Sequence, residues 1–173
     1  MTEITVTQTE RFFDKEDLIV SKTDLSGRIT YANDVFIHVA LYTEEELLGQ
    51  QHSIVRHPDM PRCVFKLLWD ELQAGREIFA YVKNRAKNGD FYWVNAHVTP
   101  SYDASGAIYS YHSTRRAPER RIIDEIITPL YRDLLAEEQR HANAKDGMQA
   151  SFEMVVGLLE KHNMDYDQFI QTL

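Results

Sequence analysis

Val82-Lys83-Asn84-Arg85-Ala86-Lys87-Asn88-Gly89-Asp90-Phe91-Tyr92-Trp93-Val94 reads as two strands meeting at a turn. Asn-Gly between alternating apolar and polar residues is the strongest short-range hairpin signal. The pattern predicts one strand over Ile78 to Arg85 and another over Phe91 to Thr99. Downstream, Asp103-Ala104-Ser105-Gly106 turns the chain into a further strand, Ile108 to Arg115. Upstream, Leu18 to Thr23 and Arg28 to Ala32 are short strand-like runs joined by Asp24-Leu25-Ser26-Gly27, again a hairpin.

Between the two strand groups the hydrophobic period becomes helical. Phe36, Val39, Ala40 and Leu41 share helical spacing, and Thr43-Glu44-Glu45-Glu46 has the form of a capping box, with Gly49 as its stop. Pro61 opens a longer helix carrying Val64, Phe65, Leu68, Trp69 and Leu72, which Gly75 ends. Two strands, several short helices and three more strands, all antiparallel, make an α+β domain.

The flanks differ from this centre. Residues 1–15 are polar and patternless, which predicts an arm or a short helix, and residues 16–117 form the domain. Beyond Pro118, Ile122, Ile123, Ile126, Ile127, Leu130, Tyr131, Leu134 and Leu135 form an apolar stripe. Pro129 is expected to break or kink it, with Thr128-Pro129 starting a new helix. A second helical pattern holds Met148, Phe152, Val155, Val156 and Leu159, and a tail bears Tyr166, Phe169 and Ile170. Residues 118–173 are therefore a helical extension. Helices this short are stabilised mainly by burying such a face. Its partner is either the chain's own sheet or the same helices of a second copy. A homodimer through the C-terminal helices is the expected arrangement.

Composition removes several function classes. The net charge of −8, from 19 basic and 27 acidic residues, disfavours nucleic acid as a partner. No run approaches the ~20 apolar residues of a membrane span, and Met1-Thr2-Glu3-Ile4 lacks a secretory pattern, so a cytoplasmic location without membrane contact is expected. A single cysteine, Cys63, excludes an intrachain disulfide, and its apolar neighbours predict a buried structural thiol. None of the seven histidines stands in a His-x-x-x-His or Cys-x-x-Cys-His pattern, so no metal site is expected.

Strand parity assigns faces. Val94, Ala96 and Val98 share one face, while Trp93, Asn95, His97 and Thr99 share the other. Ile78, Ala80, Val82 and Asn84 form a matching set that is small and apolar apart from one amide. Closed by short helices, such a concave face suits a small ligand, although the same residues also suit a plain core. His97 falls on the far face. Trp93, beside it, is expected to pack against the N-terminal arm or a partner.

His52-Ser53-Ile54-Val55-Arg56-His57-Pro58-Asp59-Met60-Pro61 and the hairpin from Val82 to Val94 resemble the two signature stretches of aerotaxis-receptor PAS domains. Asp24 to Gly27, Tyr31-Ala32-Asn33 and Phe36 are similar to the beginning of that family, and Val98-Thr99-Pro100 to its end. The resemblance, over residues 15–120, implies a PAS fold: a five-stranded antiparallel sheet with short helices on one face. It also implies bound FAD that reports redox or oxygen state. The positions carried over are Arg56, His57, Asp59 and Asn84. Asn33, Ile78, Val94 and Ala96 complete the candidate cofactor-binding set, and no catalytic residue is implied. Arg56 suits a phosphate or carbonyl. Alternatively, Arg56 and Asp59 pair with each other and fix the turn before Pro61. The family carries a tryptophan where Ile78 stands here, which implies weaker stacking on a flavin. It also carries a membrane anchor and a coiled-coil output domain, which residues 119–173 do not resemble. The resulting expectation is a stand-alone cytoplasmic, non-enzymatic sensor, signalling by protein contact to an unknown downstream partner. A cofactor-free dimerisation or adaptor module, or a haem sensor using His52, His57 or His112, are the alternatives.

Overall fold

The computed structural model describes residues 5–173; the first four residues of the expected arm, and the reading of them as no secretory signal, lie outside the described residues. Five strands form one antiparallel sheet: β1 (Ile19–Thr23), β2 (Ile29–Ala32), β3 (Ile78–Arg85), β4 (Phe91–Tyr102) and β5 (Ile108–Arg116), in the order β2-β1-β5-β4-β3. The fold is α+β, as the strand count implies. Two Asp-x-Ser-Gly turns are built alike. Asp24 Oδ1 accepts from the backbone N–H groups of Ser26 and Arg28, and Asp103 Oδ1 accepts from those of Ser105 and Ala107. Each carboxylate replaces turn hydrogen bonds that the short loop cannot make with itself.

The β3–β4 hairpin departs from the two-residue turn read at Asn88-Gly89. The ladder ends at Arg85–Phe91, and the Ala86 N–H bonds the Asp90 carbonyl around Lys87-Asn88-Gly89. Gly89 has φ +95°, and a Cβ there would lie 2.0 Å from the Thr5 carbonyl oxygen. This is the three-residue loop with a left-handed glycine at its end. The glycine also admits the N-terminal arm. That arm is extended, with no helix among its described residues, and Thr7 donates to Gly89 while Phe91 donates to Thr9. It fills the side of β4 beyond Asn95, where β5 has ended at Arg116.

Helices α1 (Asp34–Ala40), α2 (Glu44–Leu47) and α3 (Arg62–Gln73), with a 3-10 turn (His52–Val55), close one face of the sheet. Asn33 caps α1, Thr43 and Glu46 form the capping box of α2, and Pro61 precedes α3. The extension is helical throughout: α4 (Arg120–Ile122), a π-helical segment (Ile123–Ile127), α5 (Thr128–Gln139), α6 (Ala144–His162) and α7 (Tyr166–Gln171). The chain does not break at Pro129. The π-helical segment ends at Ile127, and proline stands in the first turn of α5, where its missing N–H costs least.

The apolar stripe folds back onto its own chain. Ile123, Ile127, Tyr131, Leu134 and Val155 are buried, and Val64 of α3 lies among them. Glu138 Oε1 ties three helices together, accepting from the Cys63 backbone N–H at 3.2 Å and the Ser151 hydroxyl at 2.9 Å. Burial pushes the Cys63 thiol up to about 11, as befits a structural residue. Trp93 packs on Tyr131 with ring centroids 6.2 Å apart, so its partner is the chain's own helix, not the arm or another molecule. The exposed edge of β3 is covered by the same helices: Tyr131 Oη donates to the Tyr81 carbonyl and the Phe79 N–H donates to Asp167 Oδ1. An unpaired edge is an aggregation hazard, and this one is closed by side chains. Among the described residues no helix is long and apolar enough to cross a membrane.

Candidate functional site

A cavity of about 320 Å³ lies between the concave sheet face and α3. Val82, Ala96 and Val98 make its floor. Phe65, Leu68, Trp69 and Leu72, whose three- and four-residue separations put them on one helix face, make its roof. Of these, Phe65, Leu68 and Trp69 are only half-buried, because nothing of the protein fills the space they face. Trp69 meets Tyr111 edge-on at 5.6 Å, an arrangement that holds the indole in place.

The polar groups gather at two places. Asn84 and Arg56 form one group. Arg56 is held by a backbone bridge to Asn84 and stacks its guanidinium 4.1 Å over Phe65. Burial pulls its pKa down. Ser21, His52 and Arg115, in mutual contact, form the other, with Ser113 opposite Ser21. Two arginines and no carboxylate face a cavity in a chain of net charge −8.

Of the eight residues singled out in the sequence, Arg56, Asn84 and Ala96 line this cavity. The others stand elsewhere. His57 is buried behind the 3-10 turn, where its Nδ1 accepts from the Asp59 N–H at 3.1 Å. That bond puts the ring proton on Nε2, which has no hydrogen-bond partner among the described residues. Burial, and then the Lys83 charge, hold this histidine at about 4. Asp59 pairs with Lys83 at 2.6 Å, so the turn is not fixed by the Arg56–Asp59 pair that the spacing allowed. Asn33 spends its side chain on structure: its Oδ1 accepts from Phe36 and Val20, and its Nδ2 donates to the Leu18 carbonyl. Ile78 and Val94 share the inward parity but are sealed in the core. Of the three histidines considered for a haem iron, His52 alone lines the cavity, and its Nε2 already lies 3.1 Å from Ser21 Oγ. His112 is on the far face, paired in register with Thr99.

Sequence reasoning missed Trp69, Phe65, Ser21 and Arg115 as cavity residues. The aromatic wall sought at position 78 is supplied from α3 by Trp69. The signal for Arg115 was its parity with Tyr111 and Ser113, which puts a cation on the inward face of a central strand.

A second concavity, an open groove of about 690 Å³, shares Ser53 and Arg56 with the cavity and is continued by His57, Pro58, Arg85, Thr5 and Val6. Arg85 donates to the Ile54 carbonyl, while its Nε has no partner among the described residues. Among the described residues the groove also has no acidic residue in its lining.

Fold and cavity define a one-sheet domain closed over an interior ligand-sized space. The PAS fold profile matches residues 29–115, and the chain belongs to that family. It is similar to the aerotaxis receptor of Escherichia coli (strain K12), at 44% identity over 132 residues, 76% of this chain and 26% of that protein. It is also similar to the nitrogen fixation regulatory protein of Klebsiella pneumoniae, at 26% identity over 60% of this chain and 21% of that one. The chain thus spans about a quarter of the first relative and about a fifth of the second. Among solved structures, the dark state of the Aureochrome1 LOV blue-light photoreceptor superposes with TM-score 0.57 at 19% identity, covering 66% of this chain and 86% of that one. A light-oxygen-voltage domain studied with a flavin analogue gives 0.56 at 19%, covering 67% and 87%. These structural matches show the fold alone.

Proposed function

We propose that the domain is a non-enzymatic, cytoplasmic redox or oxygen sensor that holds FAD in this cavity. The observation that carries the reading is the continuity, through Ser53 and Arg56, of an apolar slot with a groove that Arg56, Arg85 and His57 line. A planar ring system suits the slot between Trp69 and the sheet, with the Asn84 amide at its edge. The slot alone is too small for a whole dinucleotide. The groove beside Arg56, Arg85 and His57 suits its diphosphate, since arginine matches phosphate oxygens with paired, charge-assisted hydrogen bonds. Likeness to the aerotaxis receptor at 44% identity supports the same class of role. Bound flavin would supply reversible electron uptake. The protein's part is to hold the ring, exclude water and respond at its edges.

The output path follows from α3. One side of this helix, from Phe65 to Leu72, faces the cavity, while Cys63 and Val64 face α5 and α6. A shift of α3 on a change in ligand state would loosen the helices that cover β3. Their release would bare an apolar stripe for a second copy, the homodimer, or for a downstream signalling protein.

Titration of the purified full chain with FAD, followed by the near-UV and blue absorbance bands and by flavin fluorescence, tests the reading. Saturable binding is expected. A folded protein that leaves added FAD free in solution refutes it.

A further inference from the structure

Arg115 sits on β5 between β1 and β4, opposite Ile19 and Ala96, and is 2% exposed. Its side chain reaches the cavity wall. There it donates from Nη2 to Ser21 Oγ at 2.5 Å, approaches His52 Nε2 from Nη1 at 3.4 Å and lies 4.5 Å over the Phe36 ring. Its Nε has no hydrogen-bond partner among the described residues. None of these contacts carries negative charge.

The hydrogen-bond directions are determined by chemistry. Arginine only donates, so Ser21 Oγ accepts from it and has its own proton left for His52 Nε2 at 3.1 Å. His52 therefore keeps its proton on Nδ1 and stays neutral. Burial and the adjacent guanidinium hold its pKa down at about 3. This group is a fixed single positive charge. Isolated buried cations are rare because desolvation is costly without a counter-ion, and here none is supplied by the described residues.

We propose that the Ser21–His52–Arg115 group is an anion-stabilising subsite inside the cavity, against which the bound flavin places its carbonyl-rich pyrimidine edge and the negative charge that edge takes on reduction. This rests on the flavin reading and adds an orientation and an electrostatic bias to it. Asn84 and Arg56, the cavity's other polar group, are left for the rest of the ring system and the phosphate arm. A cation fixed beside the ring favours the reduced over the oxidised form. The bound cofactor then has a higher midpoint potential than free FAD.

The test uses the full chain loaded with FAD, measuring affinity for the oxidised cofactor and the midpoint potential. The wild-type potential is expected above that of free FAD. Arg115→Gln should lose at least about tenfold of the preference for reduced flavin, about 30 mV for a two-electron couple. Arg115→Lys, which keeps the charge, should retain most of it. An Arg115→Gln protein that binds FAD at the wild-type potential overturns the subsite and leaves the flavin reading standing. So does a wild-type potential at or below that of free FAD, a comparison that needs no variant to fold. A wild-type protein that binds no FAD overturns both.

Discussion

The Tyr131 hydroxyl donates to the Tyr81 carbonyl at 2.6 Å, joining the first turn of α5 to the open edge of β3. Both residues are buried, at 4% exposure each, and burial pushes the Tyr131 phenol well above its usual range. This bond makes the helical extension part of the domain's fold. Tyr131→Phe leaves the carbonyl without a partner, which costs ~1–3 kcal/mol. Urea unfolding should show that loss, with visible-band FAD binding unchanged. A variant as stable as wild type would show that water replaces the hydroxyl at the edge.

The α5–α6 crossing depends on Gly147. A Cβ at this position would lie 2.4 Å from the Glu138 carbonyl oxygen, and that contact is with backbone, which cannot rotate away. Gly147→Ala should therefore push α6 off α5 and cost about 1–3 kcal/mol. The Glu138 links to Cys63 and Ser151 would loosen with it. Hydrogen exchange should rise first in α6. Equal protection in the two proteins would mean the helices cross elsewhere.

Acid should destabilise the domain before ordinary carboxylates titrate. The folded state holds His52 at about 3 and His57 at about 4, both below the unfolded value near 6.5. Below pH 6.5 the unfolded chain takes up protons that the folded one refuses, so stability falls as pH falls. The loss approaches about 1.4 kcal/mol per pH unit for a histidine fully held neutral, and stops near its folded pKa. Melting temperature between pH 7 and 4.5 should drop, and His52→Gln should flatten the slope. An unchanged slope would separate His52 from the effect.

Arg56 and Asn84 divide ligand binding from folding. Arg56→Ala should weaken FAD binding by ~1.5–3 kcal/mol, the worth of a charge-assisted contact. Its melting temperature should move little, because the turn is held by Asp59–Lys83 and not by Arg56. Asn84→Ala should change affinity or potential in a folded protein, since its amide has no side-chain hydrogen bond among the described residues. Calorimetry with FAD measures both. A misfolded Asn84→Ala protein would reassign the amide to structure.

The order of strands and helices was legible because each signal was local. Alternation marked Ile78–Arg85 and Phe91–Thr99, Asp-x-Ser-Gly marked two turns, and Thr43 with Glu46 marked a cap. Parity placed Val82, Asn84, Ala96 and Val98 on one inward face, since neighbouring side chains on a strand must point to opposite sides. Within the signature His52 to Pro61, one-dimensional adjacency could not separate Arg56 at the cavity from His57 and Asp59 behind it, because Arg56 leaves the 3-10 turn in an extended bridge to Asn84, where successive side chains point to opposite sides. Periodicity marked Trp69 and Leu68 as buried-type residues. A helix face reads alike whether it covers a core or an open slot, and only the distance from α3 to the sheet distinguishes the two. The same holds for the extension. Its stripe required burial somewhere, and the tertiary structure chose the chain's own α3 and β3 edge, where Tyr131 and Asp167 satisfy backbone groups that β3 would otherwise leave unpaired. Arg115 is the clearest case: its parity was readable from the chain, but the absence of a carboxylate around it depends on Ser21, His52 and Phe36 arriving from three other parts of the sequence.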